Sequence, residues 1–261
     1  MRFFIRNCVY LRAFFLILTL LQCSNIVFAK TNINLITEDF PPLNYLENNE
    51  LKGPAVEIVQ LIKKKLALTG EIKVLPWKRG YGIVETTENS ALFSTTRTDK
   101  REHEFKWVGP LAVKNYGFYA KKSSAFSIQT LDDAKKYKVG GQLGGASEDY
   151  LLSNGFKQVQ LVIKPAQNFK KLASDHIDLW YTSATTLIGL GKIQGIDRKD
   201  YKMVYVTKQS ALYLAFNKMT SNDVISDWQN AYDEIYSSGK MKAIFKKHGL
   251  EDLFPAKHPA N

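Results

Sequence analysis

Between Gly53 and Gly70 the apolar residues Ala55, Ile58, Val59, Ile62 and Leu66 fall on a single helical stripe, opened by Pro54 at the first helical position. Short strand-like runs flank it, Asn32 to Thr37 before and Glu71 to Leu75 after. A chain that leaves a strand, makes a helix and forms another strand returns to its sheet by a crossover, and right-handed crossovers build a parallel sheet. That unit repeats. Trp77 to Thr86 reads as a short helix and Ala91 to Ser94 as a third strand. The stretch from Asn32 to Ser94 is therefore committed to α/β architecture.

The alternation resumes with a strand at Tyr116 to Lys121, a helix capped by Thr130 with Asp133 three residues on, and a strand at Lys138 to Gln142. A helix over Ser147 to Asn154 stops at Gly155. Strands at Gln158 to Ile163 and Ile177 to Thr182 enclose a helix near Gln167 to Ser174. Tyr201 to Val206 and Ala211 to Lys218 read as late strands. Asp223 to Ser238 and Met241 to His248 read as closing amphipathic helices. Two α/β units with a late return predict two lobes: 30–114 for the first part of lobe 1, 115–209 for lobe 2, and 210–261 for the return strand and C-terminal helices of lobe 1.

Residues 1–29 stand apart as a signal peptide. Arg2, Arg6 and Arg12 precede the apolar run Ala13 to Leu21, and Val27-Phe28-Ala29 places small-residue positions for cleavage after Ala29. The run is short for a membrane span. Export is expected, with the periplasm as destination. Both cysteines, Cys8 and Cys23, lie in the leader, so the exported chain forms no disulfide. Leu20-Leu21-Gln22-Cys23 approaches a lipoprotein box, but the bulky Gln22 is wrong for one. Of the net charge of +11, the leader's three arginines account for part, leaving +8. The remaining lysines sit mostly beside apolar helix stripes, as on a solvated face, and no nucleic-acid module is recognisable.

The stretch Ala91 to Leu111 carries the chemistry. An apolar strand runs into Ser94, Thr95, Thr96 and Thr98 beside Arg97 and Arg101, hydroxyl donors next to the side chains that pair best with carboxylates. Gly144-Gly145-Ala146-Ser147 follows a strand of the second unit at the start of a helix, where free backbone N–H groups favour an anion. Ligands in open α/β sheets bind where loops leave the carboxyl ends of strands, and both stretches lie there. Trp77, Arg79, Tyr81, Trp107, Trp180 and Tyr181 suggest an aromatic-rich cleft, with Trp77 after Pro76 the best placed. Asp99, Glu102 and Glu104 are acids that could instead tie the arginines into structural ion pairs.

Taken together, these segments resemble the extracellular solute-binding proteins of family 3, the polar amino-acid-binding group with the periplasmic-binding-protein type II fold. The resemblance spans Lys30 to Gly249. It rests on Phe40-Pro41-Pro42-Leu43, the helix opened at Gly53, Thr98-Asp99-Lys100-Arg101, Phe105 and Pro110. Val139-Gly140-Gly141-Gln142 with Gly144 to Ser147, Leu212 to Lys218, Trp228, Ser238-Gly239-Lys240 and Ile244 complete it. The resemblance implies two lobes, each a mostly parallel sheet flanked by helices, joined by two hinge crossovers. It implies that Arg101 holds a ligand carboxylate with Thr96 adding contacts, that Phe40 stacks on the ligand, and that Arg97 is the rival anchor. One departure concerns the ligand. The family commonly places an aspartate for the α-ammonium at the end of a lobe-two strand, where this chain has Ser183. Either Glu38, Asp39 or another acid supplies that charge, or the ligand is not an ordinary α-amino acid.

A monomeric binding protein that delivers a small carboxylate-bearing solute to an ABC-type membrane permease is the leading expectation, with no cofactor and no metal. Two alternatives stand beside it: a periplasmic enzyme of the cyclohexadienyl-dehydratase type, and a soluble sensor that docks on a receptor. Against an enzyme, His103, His176, His248 and His258 lack metal-ligand spacing. Neither a G-x-S-x-G elbow nor a phosphate-binding lysine loop is present.

Overall fold

The computed structural model describes residues 31–194 and 200–256. The expected leader, both cysteines and His258 lie outside the described residues. Ten strands are described. β1 (Asn34–Thr37), β4 (Ile72–Val74) and β5 (Ser90–Thr96) form one parallel set; β7 (Val139–Gln142), β8 (Val159–Val162) and β9 (Leu179–Ser183) form another. Between them run two strands of 17 residues, β6 (Phe105–Lys121) and β10 (Tyr201–Asn217), antiparallel to each other. The sheet order is β4-β1-β5-β10-β6-β9-β7-β8. A hairpin, β2 (Tyr45–Glu47) with β3 (Glu50–Lys52), stands off it, turning through Asn48 and Asn49 at positive φ.

Helices α1 (Pro54–Lys65) and α2 (Trp77–Thr86) cross over within the first half. The short α3 (Leu131–Ala134), α4 (Ala146–Ser153), α5 (Pro165–Ala173) and α6 (Ala184–Gln194) serve the second. α7 (Asn222–Ser237) and α8 (Lys240–Lys247) return to the first. Each half closes over its own core. Leu35, Val56, Ile58, Phe93, Leu214, Phe216, Trp228 and Phe245 pack in the first, and Phe118, Val139, Leu151, Phe156, Leu179 and Tyr181 in the second. Full burial of such side chains contributes about 1.5–3 kcal/mol apiece, which lets the described residues, with no cysteine among them, hold two cores. No described helix is long and apolar enough to cross a membrane.

Several elements differ from the sequence reading. α1 ends at Lys65, five residues before Gly70, because Ala67 takes a positive φ of 52° and its N–H and that of Leu68 bond back to Lys64 and Lys63. That is the Schellman ending without its usual glycine. The late strands expected at Tyr201 and Ala211 are one strand, and the strand expected at Tyr116 begins at Phe105. α6 was not anticipated. The hairpin was not either.

The register decides where the site can be. Thr96, the last residue of β5, pairs with Leu212, which pairs with Ala112; Ser183, the last residue of β9, pairs with Tyr116. The carboxyl ends of the two parallel sets therefore face each other, with Lys114 on the strand between them. Lys114 pairs with Ser210 and Asn115 with Gln209, so the chain positions 114/115 and 209/210 lie side by side.

Candidate functional site

Every wall of the central cavity comes off a strand's carboxyl end or the strand beneath. Glu38 and Phe40 follow β1, Trp77 opens α2 after β4, and Thr96 and Arg101 leave β5. From the other half come Gln142, Gly145, Ala146 and Ser147 after β7, Pro165 and Asn168 after β8, and Thr182 and Thr186 around the end of β9. Lys114 and Tyr116 on β6 form the floor. The walls are close, leaving a cavity of about 40 Å³, room for a few waters. Beside it, sharing Glu38, Trp77 and Pro165, is a more apolar chamber of about 220 Å³ that reaches Leu46 and Ile163.

Arg101 is 1% exposed. Its Nη1 donates to the Thr96 carbonyl at 3.3 Å, and its Nη2 donates across the cleft to the Gly144 carbonyl at 3.2 Å and to Asp149 at 3.3 Å. Its Nε has no acceptor among the described residues. The guanidinium lies over the rings of Trp77 and Tyr81, 5.3 and 5.1 Å from their centroids. Tyr81 in turn donates to Glu104, and that bond together with burial raises its pKa. Trp77 Nε1 also donates to the Gly144 carbonyl, at 2.7 Å. One carbonyl of the second half thus receives two donors of the first.

Glu38 spans the cleft as well, accepting from Gln142 Nε2 at 2.7 Å. Burial pushes its carboxyl up to about 7, against the opposing effects of that hydrogen bond and of the Lys114 charge. Lys114, 5% exposed, holds its ammonium over the rings of Phe40 and Tyr116 at 4.8 and 4.6 Å. Asn168 donates to the Gly141 carbonyl at 2.9 Å while its Oδ1 has no donor among the described residues. Gly140 makes room for it, since a Cβ there would lie 2.5 Å from that oxygen.

Of the residues singled out from sequence, Arg101, Thr96, Phe40, Trp77, Gly145, Ala146 and Ser147, with Trp180 and Tyr181, are brought together on this cavity. Arg97, Gly144 and Ser183 are not. Arg97 points elsewhere: its Nε donates to Glu102 at 2.6 Å, Nη2 makes a second bond to the same carboxylate, and the group stacks on Trp107 and Tyr213. That pairing raises the Arg97 pKa and lowers that of Glu102. Gly144 donates its N–H to Glu148 and its carbonyl is filled from the first half, so it closes the cleft rather than lining it. Ser183 turns inward to cap α6, its Oγ accepting from Thr186 N–H at 3.2 Å. No described residue places a lobe-two carboxylate on the cavity wall where an aspartate was sought.

Lys114, Gln142 and Asn168 were missed. Lys114 had a signal, a lone charge inside Leu111-Ala112-Val113-Lys114-Asn115-Tyr116, and Asn168 another, an amide beside Phe169 in the apolar stripe of α5. Gln142 had none. Among the described residues no cluster of histidine, cysteine and acidic side chains could hold a metal.

The fold is shared with solved proteins. A histidine kinase sensor domain with similarity to periplasmic binding proteins superposes with a TM-score of 0.77 at 16% identity, covering 87% of this chain and 99% of that one. An ancestral arginine-binding protein bound to arginine gives 0.74 at 22% identity, covering 84% and 98%. Among curated proteins, the probable amino-acid-binding protein YxeM of Bacillus subtilis (strain 168) is 26% identical over 217 residues, 81% of each chain. The family model of the bacterial extracellular solute-binding proteins, family 3, matches residues 33–251. With a type II fold and that match over most of its length, the chain belongs to the bacterial extracellular solute-binding proteins of family 3.

Proposed function

We propose that this protein is an exported, monomeric binding protein that holds the carboxylate of a small solute, an amino acid or a relative of one, on Arg101 between two lobes and presents it to an ABC-type permease. The observation that carries the reading is Arg101 itself: a buried guanidinium on the cavity wall, oriented by Thr96 and two aromatic rings, with its Nε left without an acceptor among the described residues. Two charge-assisted hydrogen bonds of about 1.5–3 kcal/mol each supply much of the roughly 8 kcal/mol that micromolar binding requires. Thr96 and Phe40 complete the first half of the clamp. Gly145, Ala146 and Ser147 form the second. The leader at 1–29 accounts for export to the periplasm, and the amino-acid-binding relative supports the solute class.

Closure is a hinge at 114/115 and 209/210, where the two long strands pass between the halves. The narrow cavity is the closed arrangement, and a solute enters when the Trp77, Arg101 and Glu38 contacts to the second half separate. The test is thermal unfolding of the exported chain, stripped of ligand by partial denaturation, against amino acids and small organic acids. Wild type gains stability with its solute and Arg101→Ala gains none; an equal gain in the variant sinks the assignment.

One observation favours a second reading. A buried carboxyl with a pKa of about 7 facing a carboxylate-binding arginine is also what a general acid needs, so Glu38 suits a dehydratase acting on a cyclic hydroxy acid. Loss of water and carbon dioxide from prephenate or arogenate, followed by absorbance, decides it; turnover abolished by Glu38→Gln would replace the binding-protein reading.

A further inference from the structure

The proposed carboxylate site leaves a second cation unexplained. Lys114 is 5% exposed and lies on the strand between the facing carboxyl ends of the two parallel sets, at the floor of the same cavity as Arg101. Its ammonium carries three donors, yet among the described residues it makes no ion pair and no hydrogen bond; the Phe40 and Tyr116 rings fix its position without accepting a proton-bearing contact. A charge removed from water is retained only where something compensates it. Glu38 is the only acid among the described residues lining the cavity; one of its oxygens accepts from Gln142, and it acts on Lys114 through its charge without a hydrogen bond between them. Arg101 has Asp149 as a bonded partner, so Lys114 is the cation of the cavity that no carboxylate bonds among the described residues.

We propose that Lys114 is a second anion anchor, so that the solute this site selects carries two acidic groups, one on Arg101 and the other on Lys114. The inference rests on the reading that Arg101 holds a carboxylate. Dicarboxylates of four or five carbons, amino and hydroxy acids among them, fit that description. The Ser183 position then needs no carboxylate, because the solute's excess negative charge, rather than its ammonium, is what the cavity compensates.

The test compares each acid with the amide of matched size: L-glutamate with L-glutamine, L-aspartate with L-asparagine, and L-malate with its 4-amide. Titration calorimetry on ligand-stripped wild type should give at least tenfold tighter binding for the acid in one or more pairs. Lys114→Met, which keeps a long apolar stem between the two rings, should weaken that acid until the ratio is near one, and Lys114→Arg should restore the preference. Unliganded melting temperatures near wild type for both variants establish that they fold. A ratio unchanged in Lys114→Met, preference for the amides, or binding of none of the three acids overturns the inference. Its failure is separable from that of the reading beneath it: if Arg101→Ala abolishes binding while Lys114→Met changes nothing, only the second anchor is wrong, whereas indifference to Arg101→Ala removes the carboxylate site itself.

Discussion

The two walls of the cleft are made of different materials. Both halves contribute aromatic surface, Phe40 and Trp77 from the first and Trp180 and Tyr181 from the second, but the first adds the charges of Arg101 and Glu38, with Lys114 on the shared floor, whereas the second adds amides, hydroxyls and backbone, in Gln142, Asn168, Ser147 and the turn at Gly145. The contacts that hold the walls together follow that division. Trp77 and Arg101 donate to a carbonyl of the second half, and Glu38 accepts from its glutamine. The cross-cleft contacts also include an ion pair, from Arg101 to Asp149 on α4 at 3.3 Å, so the partners that the second half offers in the contacts broken on opening are neutral except at that carboxylate. With Ser183 committed to capping α6, the second wall places no carboxylate on the cavity itself, and the acid it does bring to the cleft, Asp149, is already paired with Arg101.

Glu38 gives the largest expected effect on stability. Its folded pKa of about 7 lies above the ordinary value of 4.5, because burial penalises the carboxylate more than Gln142 and Lys114 favour it. Below pH 4.5 both folded and unfolded chains hold this proton and the residue contributes nothing. As pH rises from 4.5 towards 7 the unfolded chain loses the proton first, so the contribution is destabilising and levels off above about 7, at roughly 3 kcal/mol by the conversion of a pKa difference into free energy. Glu38→Gln keeps an acceptor for Gln142 and removes the titration. It should match wild type in urea unfolding at pH 4 and exceed it by about that amount at pH 8. A difference independent of pH would show that the charged wall is not the strained one.

Much of this architecture was legible, and the exceptions have physical causes. The short helix expected from Trp77 to Thr86 coincides with α2 at both ends. The Thr130–Asp133 capping box was read from four letters, and both of its hydrogen bonds are present. The long strands were not, because Gly109-Pro110 interrupts one and Thr207-Lys208-Gln209-Ser210 the other, and alternation fails where a strand leaves one core for the next. α6 was missed for the opposite reason. It is covered on several sides, with Thr185, Thr186, Leu187 and Leu190 all buried and Gly189 against the backbone of Pro41, so no stripe marks it. At the site, Arg101 was visible as chemistry beside hydroxyls, whereas Lys114 and Asn168 acquire meaning only from the register that puts them inside.

The neutral wall is sharpened by Gly140→Ala. A methyl there would lie 2.5 Å from Asn168 Oδ1 and 2.6 Å from Ile177 Cδ1, so α5 must shift or β7 must bend. Overpacking of this kind costs about 1–3 kcal/mol. Urea unfolding should show that loss, and solute affinity should fall with it because Asn168 is displaced. A loss of stability with affinity intact would mean that the second wall's amide does not touch the solute.

The smallest effect separates two arginines four residues apart. Arg97 and Arg101 leave the same strand end beside the same hydroxyls, and nothing local distinguishes them. What differs is the register of β5 against β10, which turns Arg97 towards Glu102, Trp107 and Tyr213 on the first half's own surface and Arg101 into the cleft. The Arg97 side chain keeps 29% of its surface exposed, and a partly exposed ion pair with aromatic contacts is worth about 0.5–1 kcal/mol. Arg97→Ala should therefore lower stability by no more than that and leave solute affinity within twofold, read by calorimetry alongside Arg101→Ala. A tenfold loss of affinity would place the charge of Arg97 in the site after all and reduce the contrast between the two arginines to one of distance.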